Sequence, residues 1–187
     1  FFTNVTTVAG TLTVEPVDLF FTTPAATKSY DGTALIAAFD PSTGAGSISG
    51  LASNESITVT TTGSQTEGGG SNNTYTIDWG TTNPDNYLIH DNLGVLTVNS
   101  NNTQINLTAA SDSKPYDGTP LTNSSVTVNV ESNLPTGFTV EATASGSQTN
   151  VGTGDNVVTY YAVKNADGDD KTAHFNNITT VKGTLNL

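Results

Sequence analysis

Hydrophobic and polar residues alternate along much of this chain. Tyr75, Ile77 and Trp79 fall on one side of an extended segment, and Thr74, Thr76 and Asp78 on the other. That period of two predicts a strand with one buried face. Ile57 and Val59 alternate with threonines up to Gly63, and residues 17–23 form a shorter apolar run that also reads as a strand. Residues 35–39 are a further apolar run. Asp31-Gly32 supplies a turn with a left-handed position, and residues 40–46 and 67–73 read as loops. No window sustains a 3.6-residue period, so no proper helix is expected. Short strands separated by frequent turn signals predict an all-β chain.

The pattern occurs twice. Lys28-Ser29-Tyr30-Asp31-Gly32-Thr33-Ala34-Leu35 is matched by Lys114-Pro115-Tyr116-Asp117-Gly118-Thr119-Pro120-Leu121, 86 residues later. Residues 51–79 align without a gap onto residues 134–162. The inward set Ile57, Val59, Thr61 becomes Val140, Ala142, Ala144, and Tyr75, Ile77, Trp79 becomes Val158, Tyr160, Ala162. Apolar character persists while side chains change, as shared core positions require. Gly94-Val95-Leu96-Thr97-Val98 closes the first copy as Gly183-Thr184-Leu185-Asn186-Leu187 closes the second, and Gly10-Thr11-Leu12-Thr13-Val14 has the same form. Self-similarity at a fixed period decides the architecture first. The expected organisation is residues 1–15 as the closing strand of a preceding repeat, 16–99 as repeat one and 100–187 as repeat two. The expected fold is two tandem small β-sandwich (Ig-like) repeats, with β-grasp-like repeats as the alternative. The short junction at residues 98–104, without Gly or Pro, predicts an elongated, stiff rod. The strand at residues 11–14 has free backbone donors and is expected to pair with repeat one or with a neighbouring molecule.

Composition narrows the function classes. Five lysines and no arginine stand against seventeen acids, for a net charge of −12. That disfavours nucleic acid and anionic membranes as partners. It favours solubility and mutual repulsion. There is no cysteine, which excludes disulfides, thiolate-bound zinc and thiol catalysis.

Lys-x-Tyr-Asp-Gly-Thr-x-Leu, followed by Gly-Ser-Gln-Thr (residues 63–66 and 146–149) and a closing Gly-Thr-Leu-Thr-Val-like segment, resembles the tandem YDG or MBG-type repeats of cell-wall-attached surface proteins of Gram-positive gut bacteria. The resemblance covers essentially the whole chain. It implies a non-catalytic stalk of a bacterial adhesin, extracellular and anchored to the cell wall. The implied partners are neighbouring repeats of the same chain. It carries over no catalytic residues.

Four sets of residues are candidate sites. Asp167, Asp169 and Asp170 lie in the densest acidic stretch, Asn165-Ala166-Asp167-Gly168-Asp169-Asp170; alternating oxygens there are candidate calcium ligands. Without the acid expected at the twelfth position of a calcium loop, a solvated Asp-Gly turn explains the same residues. No other cofactor is implied. Trp79 and Tyr75 would form a sugar-stacking platform if exposed, for a host glycan or matrix protein, and core if buried. Lys28 and Lys114 are candidate isopeptide crosslink residues, with Asn86 and Asn176 or Asn177 as partners; that chemistry needs a buried lysine beside an acid. An exposed lysine at a turn is the simpler reading. Finally, the Tyr-Asp-Gly-Thr turn itself is a candidate contact surface, although turn chemistry accounts for each of its positions. His90 and His174 lack the carboxylate company of a zinc site.

Overall fold

The computed structural model describes Phe1 and residues 3–187. The chain is all-β, and among the described residues no helix reaches seven residues. The first half contains β1 (Val17–Thr22), β2 (Ala26–Ser29), β3 (Ser47–Ser49), β4 (Thr58–Thr61), β5 (Gly69–Asn72), β6 (Tyr75–Asp78), β7 (Tyr87–Asn92) and β8 (Val95–Asn99). The second contains β9 (Ile105–Ala109), β10 (Asp112–Ser113), β11 (Val126–Val130), β12 (Thr139–Ser145), β13 (Thr153–Lys164), β14 (Ile178–Val181) and β15 (Gly183–Asn186). One turn of 3-10 helix precedes β7 (Pro84–Asn86), and another precedes β14 (Thr172–His174).

The strand pairings recur. Sheet β3-β1-β7 has the counterpart β11-β9-β14, and β2-β8-β5 the counterpart β10-β15-β13. The hairpin β4-β6 has the counterpart β12-β13. The long strand β13 pairs with both β15 and β12 in one four-stranded sheet, and the chain divides the same work between β5 and β6 in the first copy. In each copy the first strand runs parallel to the penultimate one: Leu19 opposes Ile89, and Ile105 opposes Ile178. Parallel neighbours require a long crossover, so each copy closes its sheet by chain that returns from far along the sequence.

Two compact units result. One comprises Phe1–Ala25, Ala37–Gly63 and Asn72–Val95; the other comprises Ala26–Ile36, Ser64–Ser71 and Leu96–Leu187. The core of the first is Leu19, Phe21 and Tyr87, covered by Ile48, Leu51, Ile57, Val59, Ile77 and Trp79. The core of the second is Tyr30, Val98, Ile105, Leu107, Val163 and Phe175. Alternation along β1 and β9 puts Leu19, Phe21, Ile105 and Leu107 inside. Each such side chain contributes about 1.5–3 kcal/mol relative to exposure.

A buried asparagine holds each copy together. Asn73 Nδ2 donates to the carbonyls of Pro24 and Ala37, both at 2.9 Å. Asn156 Nδ2 donates to those of Ala110 and Asn123, at 2.9 and 2.8 Å. Both residues are fully buried, and among the described residues neither Oδ1 atom has a hydrogen-bond partner. The closing glycines are equally constrained: a Cβ on Gly94 or Gly183 would collide with the backbone of Pro24 or Ala110.

Two sequence expectations are corrected. Residues 11–14 form no strand, and Leu12 is fully exposed at 100%. The equivalent β8 lies between β2 and β5, and β15 between β10 and β13; both seats are filled, and residues 11–14 join no sheet among the described residues. Tyr160 is exposed rather than inward, because the β12–β13 register shifts between Thr143 and Ala144 and so skips Thr159. That bulge reverses the phase of the alternation.

Candidate functional site

The Tyr-Asp-Gly-Thr turn has one construction in both copies. Asp31 Oδ1 accepts from the backbone N–H of Thr33 at 2.9 Å and from its hydroxyl at 2.8 Å. Asp117 Oδ1 accepts the same pair from Thr119, at 2.9 and 2.7 Å. Gly32 and Gly118 have φ of 79° and 82°, the left-handed conformation that a side chain disfavours. Lys28 Nζ reaches across the turn to Asp31 at 2.6 Å and to the Thr33 hydroxyl at 2.7 Å. Lys114 does likewise, to Asp117 at 2.9 Å and to Thr119 at 2.6 Å. Hydrogen bonds from Lys114 and then Thr119 hold the Asp117 carboxyl well below the usual carboxylate range. At Asp31 burial pushes the other way, yet the bonds from Lys28 and Thr33 outweigh it and the net shift is downward. Lys, Asp, Gly and Thr in this motif are therefore one self-contained clamp.

The tyrosine is the part that faces outward from the clamp, and in the second unit it is fully used. Tyr30 is 1% exposed. Its ring stacks on His174 at 4.1 Å and meets the rings of Phe138 and Phe175 edge-on at 6.0 and 6.2 Å. Its N–H donates to the Asn99 carbonyl, and its carbonyl accepts from Asn101 Nδ2. Beside it, Glu67 pairs with Lys171 at 3.0 Å and with His174 at 2.7 Å. The hydrogen bond from Lys171 lowers the Glu67 carboxyl, and the same bond raises the Lys171 ammonium. Burial, then the Glu67 charge, raises the Tyr30 phenol. A small recess of about 220 Å³ lies here, lined by Tyr30, Asp31, Glu67, Phe138, Asp167 and Lys171.

Trp79 and Tyr75 are half-buried. Trp79 packs on the core of the first unit and stacks with Tyr87 at 5.9 Å. Tyr75 tilts against Phe21 at 5.5 Å, and its hydroxyl donates to Asp91 Oδ2 at 3.0 Å. Burial, with the Asp91 hydrogen bond, pushes the Tyr75 phenol up to about 12. The outer edges of both rings, with Ile77, Asp91 and Leu93, line an open groove of about 420 Å³. The two aromatic candidates are thus brought together, on a face that is partly core and partly surface. Asp91 and Leu93 join them unforeseen, since the β7 contribution is long-range.

The acidic loop is organised by itself. Asn165 Oδ1 accepts from the N–H groups of Asp167 and Asp169, at 3.1 and 2.8 Å. Asp170 Oδ1 accepts from the N–H and hydroxyl of Thr172, at 2.9 and 2.6 Å. Among the described residues no group of three or more His, Asp or Glu is placed to hold a metal ion. Lys28 and Lys114 bond Asp and Thr, and no asparagine amide is among their partners. His90 pairs with Asp18 at 2.8 Å and stacks on Phe20. The buried Asn73 and Asn156, absent from the candidates above, occupy matching places in the gapless alignment, and that coincidence was the signal for them.

The chain matches no known family, no curated protein and no solved structure.

Proposed function

We propose that the chain is a non-catalytic stalk segment of a bacterial surface adhesin. Tandem β-sandwich units would hold a binding region away from the cell wall as an elongated rod. The observation that carries this reading is the fate of Tyr30. The clamp that presents it belongs to the first copy, yet its ring is core in a unit built mainly from the second. Consecutive copies built in this way share residues, so the second copy does not complete its core from its own chain alone. The duplicated strand pairing, the net charge of −12 and the resemblance to wall-attached surface repeats agree with it.

The test is length. Extending the chain by one more copy, residues 99–187 placed after Leu187, should add about 30 Å to its maximum dimension, the diameter of a compact unit of this size. Small-angle scattering reads that directly. A gain below about 10 Å, as for a unit folding back on the others, would remove the stalk reading.

The groove formed by Tyr75, Ile77, Trp79 and Asp91 supports a second reading, a glycan-binding surface. Aromatic faces beside a carboxylate suit the apolar and hydroxyl faces of a sugar. A glycan and mucin binding screen, with Trp79→Ala as the comparison, decides it. Binding that is lost in a folded variant supports this reading, and no binding by the unaltered chain ends it.

A further inference from the structure

Tyr30 and Tyr116 sit on the same clamp, yet one ring is 1% exposed and the other 60%. The turn geometry cannot be the cause, since φ, the Asp–Thr bonds and the lysine bridge are reproduced. The difference is what covers the ring. Phe138, His174 and Phe175 cover Tyr30, and no described aromatic ring stacks on Tyr116.

The surroundings of Tyr116 repeat those of Tyr30. Gly152 and Leu187 exchange backbone hydrogen bonds of 2.9 Å, and the Lys114 N–H donates to the Asn186 carbonyl. The start of the clamp, Val151 and the end of β15 therefore share one end of the unit. Val151 is 77% exposed. Leu187 is the counterpart of Val98, which is buried in the core around Tyr30. Tyr116, Val151 and Leu187 together make an apolar end built like one that is elsewhere covered.

Resting on the stalk reading, we propose that this end is a docking surface whose partner is a further β unit of the same kind, carrying an aromatic socket equivalent to Phe138, His174 and Phe175. Two positions tune the fit. Asn150 stands where Glu67 stands in the first copy, so the ion pairs to Lys171 and His174 have no counterpart. Val151 stands where Gly68 stands, and a Cβ on Gly68 would lie 3.1 Å from His174 Nδ1. The best partner therefore keeps the aromatic pair and presents a smaller, uncharged rim.

Nitration by tetranitromethane, followed by peptide mass spectrometry, tests this. In the chain as it stands, Tyr116 should react like a free tyrosine while Tyr30 is protected. In the chain extended by its own residues 99–187, Tyr116 should react more slowly. With N150E and V151G added to the middle copy, which restore the Glu67 and Gly68 contacts, it should slow at least tenfold. Replacing the phenylalanines equivalent to Phe138 and Phe175 by serine in the appended copy alone should restore full reactivity. Protection of Tyr30 in every variant shows that the parent units remain folded. Unchanged reactivity of Tyr116 in both extended chains overturns the proposal, as does protection that survives the serine replacements. If scattering shows the added length while Tyr116 stays reactive, docking fails and the stalk reading stands. If the length does not grow, the stalk reading itself has failed.

Discussion

Replacing Asn73 by alanine removes the donor of two hydrogen bonds to buried carbonyls, Pro24 O and Ala37 O. Each bond is worth about 1 kcal/mol net, and an orphaned buried carbonyl costs about 1–3 kcal/mol. Against this, Asn73 Oδ1 is itself without a partner, and its removal returns part of the loss. The balance is a destabilisation of about 2–4 kcal/mol. A unit of this size has only about 4–11 kcal/mol to lose. Trp79 is the only tryptophan and packs on the core of the first unit, so its fluorescence during guanidinium unfolding isolates that unit. N73D sharpens the test. It keeps the shape but turns an acceptor toward two carbonyl oxygens, so it should cost more than N73A at pH 7. The buried carboxyl should have a raised folded-state pKa. The variant's stability should therefore be best below the ordinary aspartate range and fall as pH rises through it. A loss below about 1 kcal/mol in N73A would mean that water satisfies both carbonyls and that the amide does not fasten the two segments.

The Tyr75 phenol, raised to about 12, should favour the folded state fully below pH 10; alkaline titration should show that contribution disappearing between pH 10 and 12, and Tyr75→Phe should abolish the late-titrating phenol. The depressed carboxyls of Asp31 and Asp117 stabilise the fold above the usual carboxylate range and lose that effect as pH falls; Lys114→Met should flatten the acid limb measured by circular dichroism. Gly183→Ala should cost at least about 3 kcal/mol, since its Cβ meets the backbone of Ala109 and Ala110. Gly118→Ala, with open space but a φ of 82°, should cost about 1–2 kcal/mol; thermal unfolding of the two variants should show that order.

Much of the local structure was legible. The period of two at residues 74–79 becomes β6, Asp-Gly at 31–32 and 117–118 gives the left-handed turn, and the gapless match of 51–79 to 134–162 becomes matching hairpins. What was hidden is what depends on distant chain. Nothing in residues 17–22 announces that β1 runs parallel to β7, because pairing direction leaves no mark on one strand's alternation. The bulge opposite Thr143 inverts Tyr160, and no turn residue marks it. The fate of each tyrosine was equally out of reach, since Tyr30 and Tyr116 share a motif and differ only in what packs on them. Trp79 packs on the core of the first unit and also lines an open groove, so neither a wholly buried nor a wholly exposed ring describes it.

The distribution of charge bears on how such copies would recognise one another. All five lysines are engaged in ion pairs, with Asp31, Asp117, Glu141, Glu67 and Asp155. Subtracting those five acids from the seventeen leaves twelve, the full net charge. The unpaired surface charge apart from the histidines is thus of one sign, and separate molecules meet with repulsion beyond the Debye length, about 8 Å at physiological salt. Attraction between copies then has to come from short-range apolar contact of the Tyr30 type. Contact of that kind works best when the next unit is delivered by covalent continuity, at high effective concentration. On the stalk proposal, the same charge pattern would keep free molecules apart while leaving the apolar contact available to covalently joined copies. Raising the salt should weaken the repulsion without weakening an aromatic socket. Self-association in trans that appears only at high salt would fit that division, and strong dimerisation at low salt would contradict it.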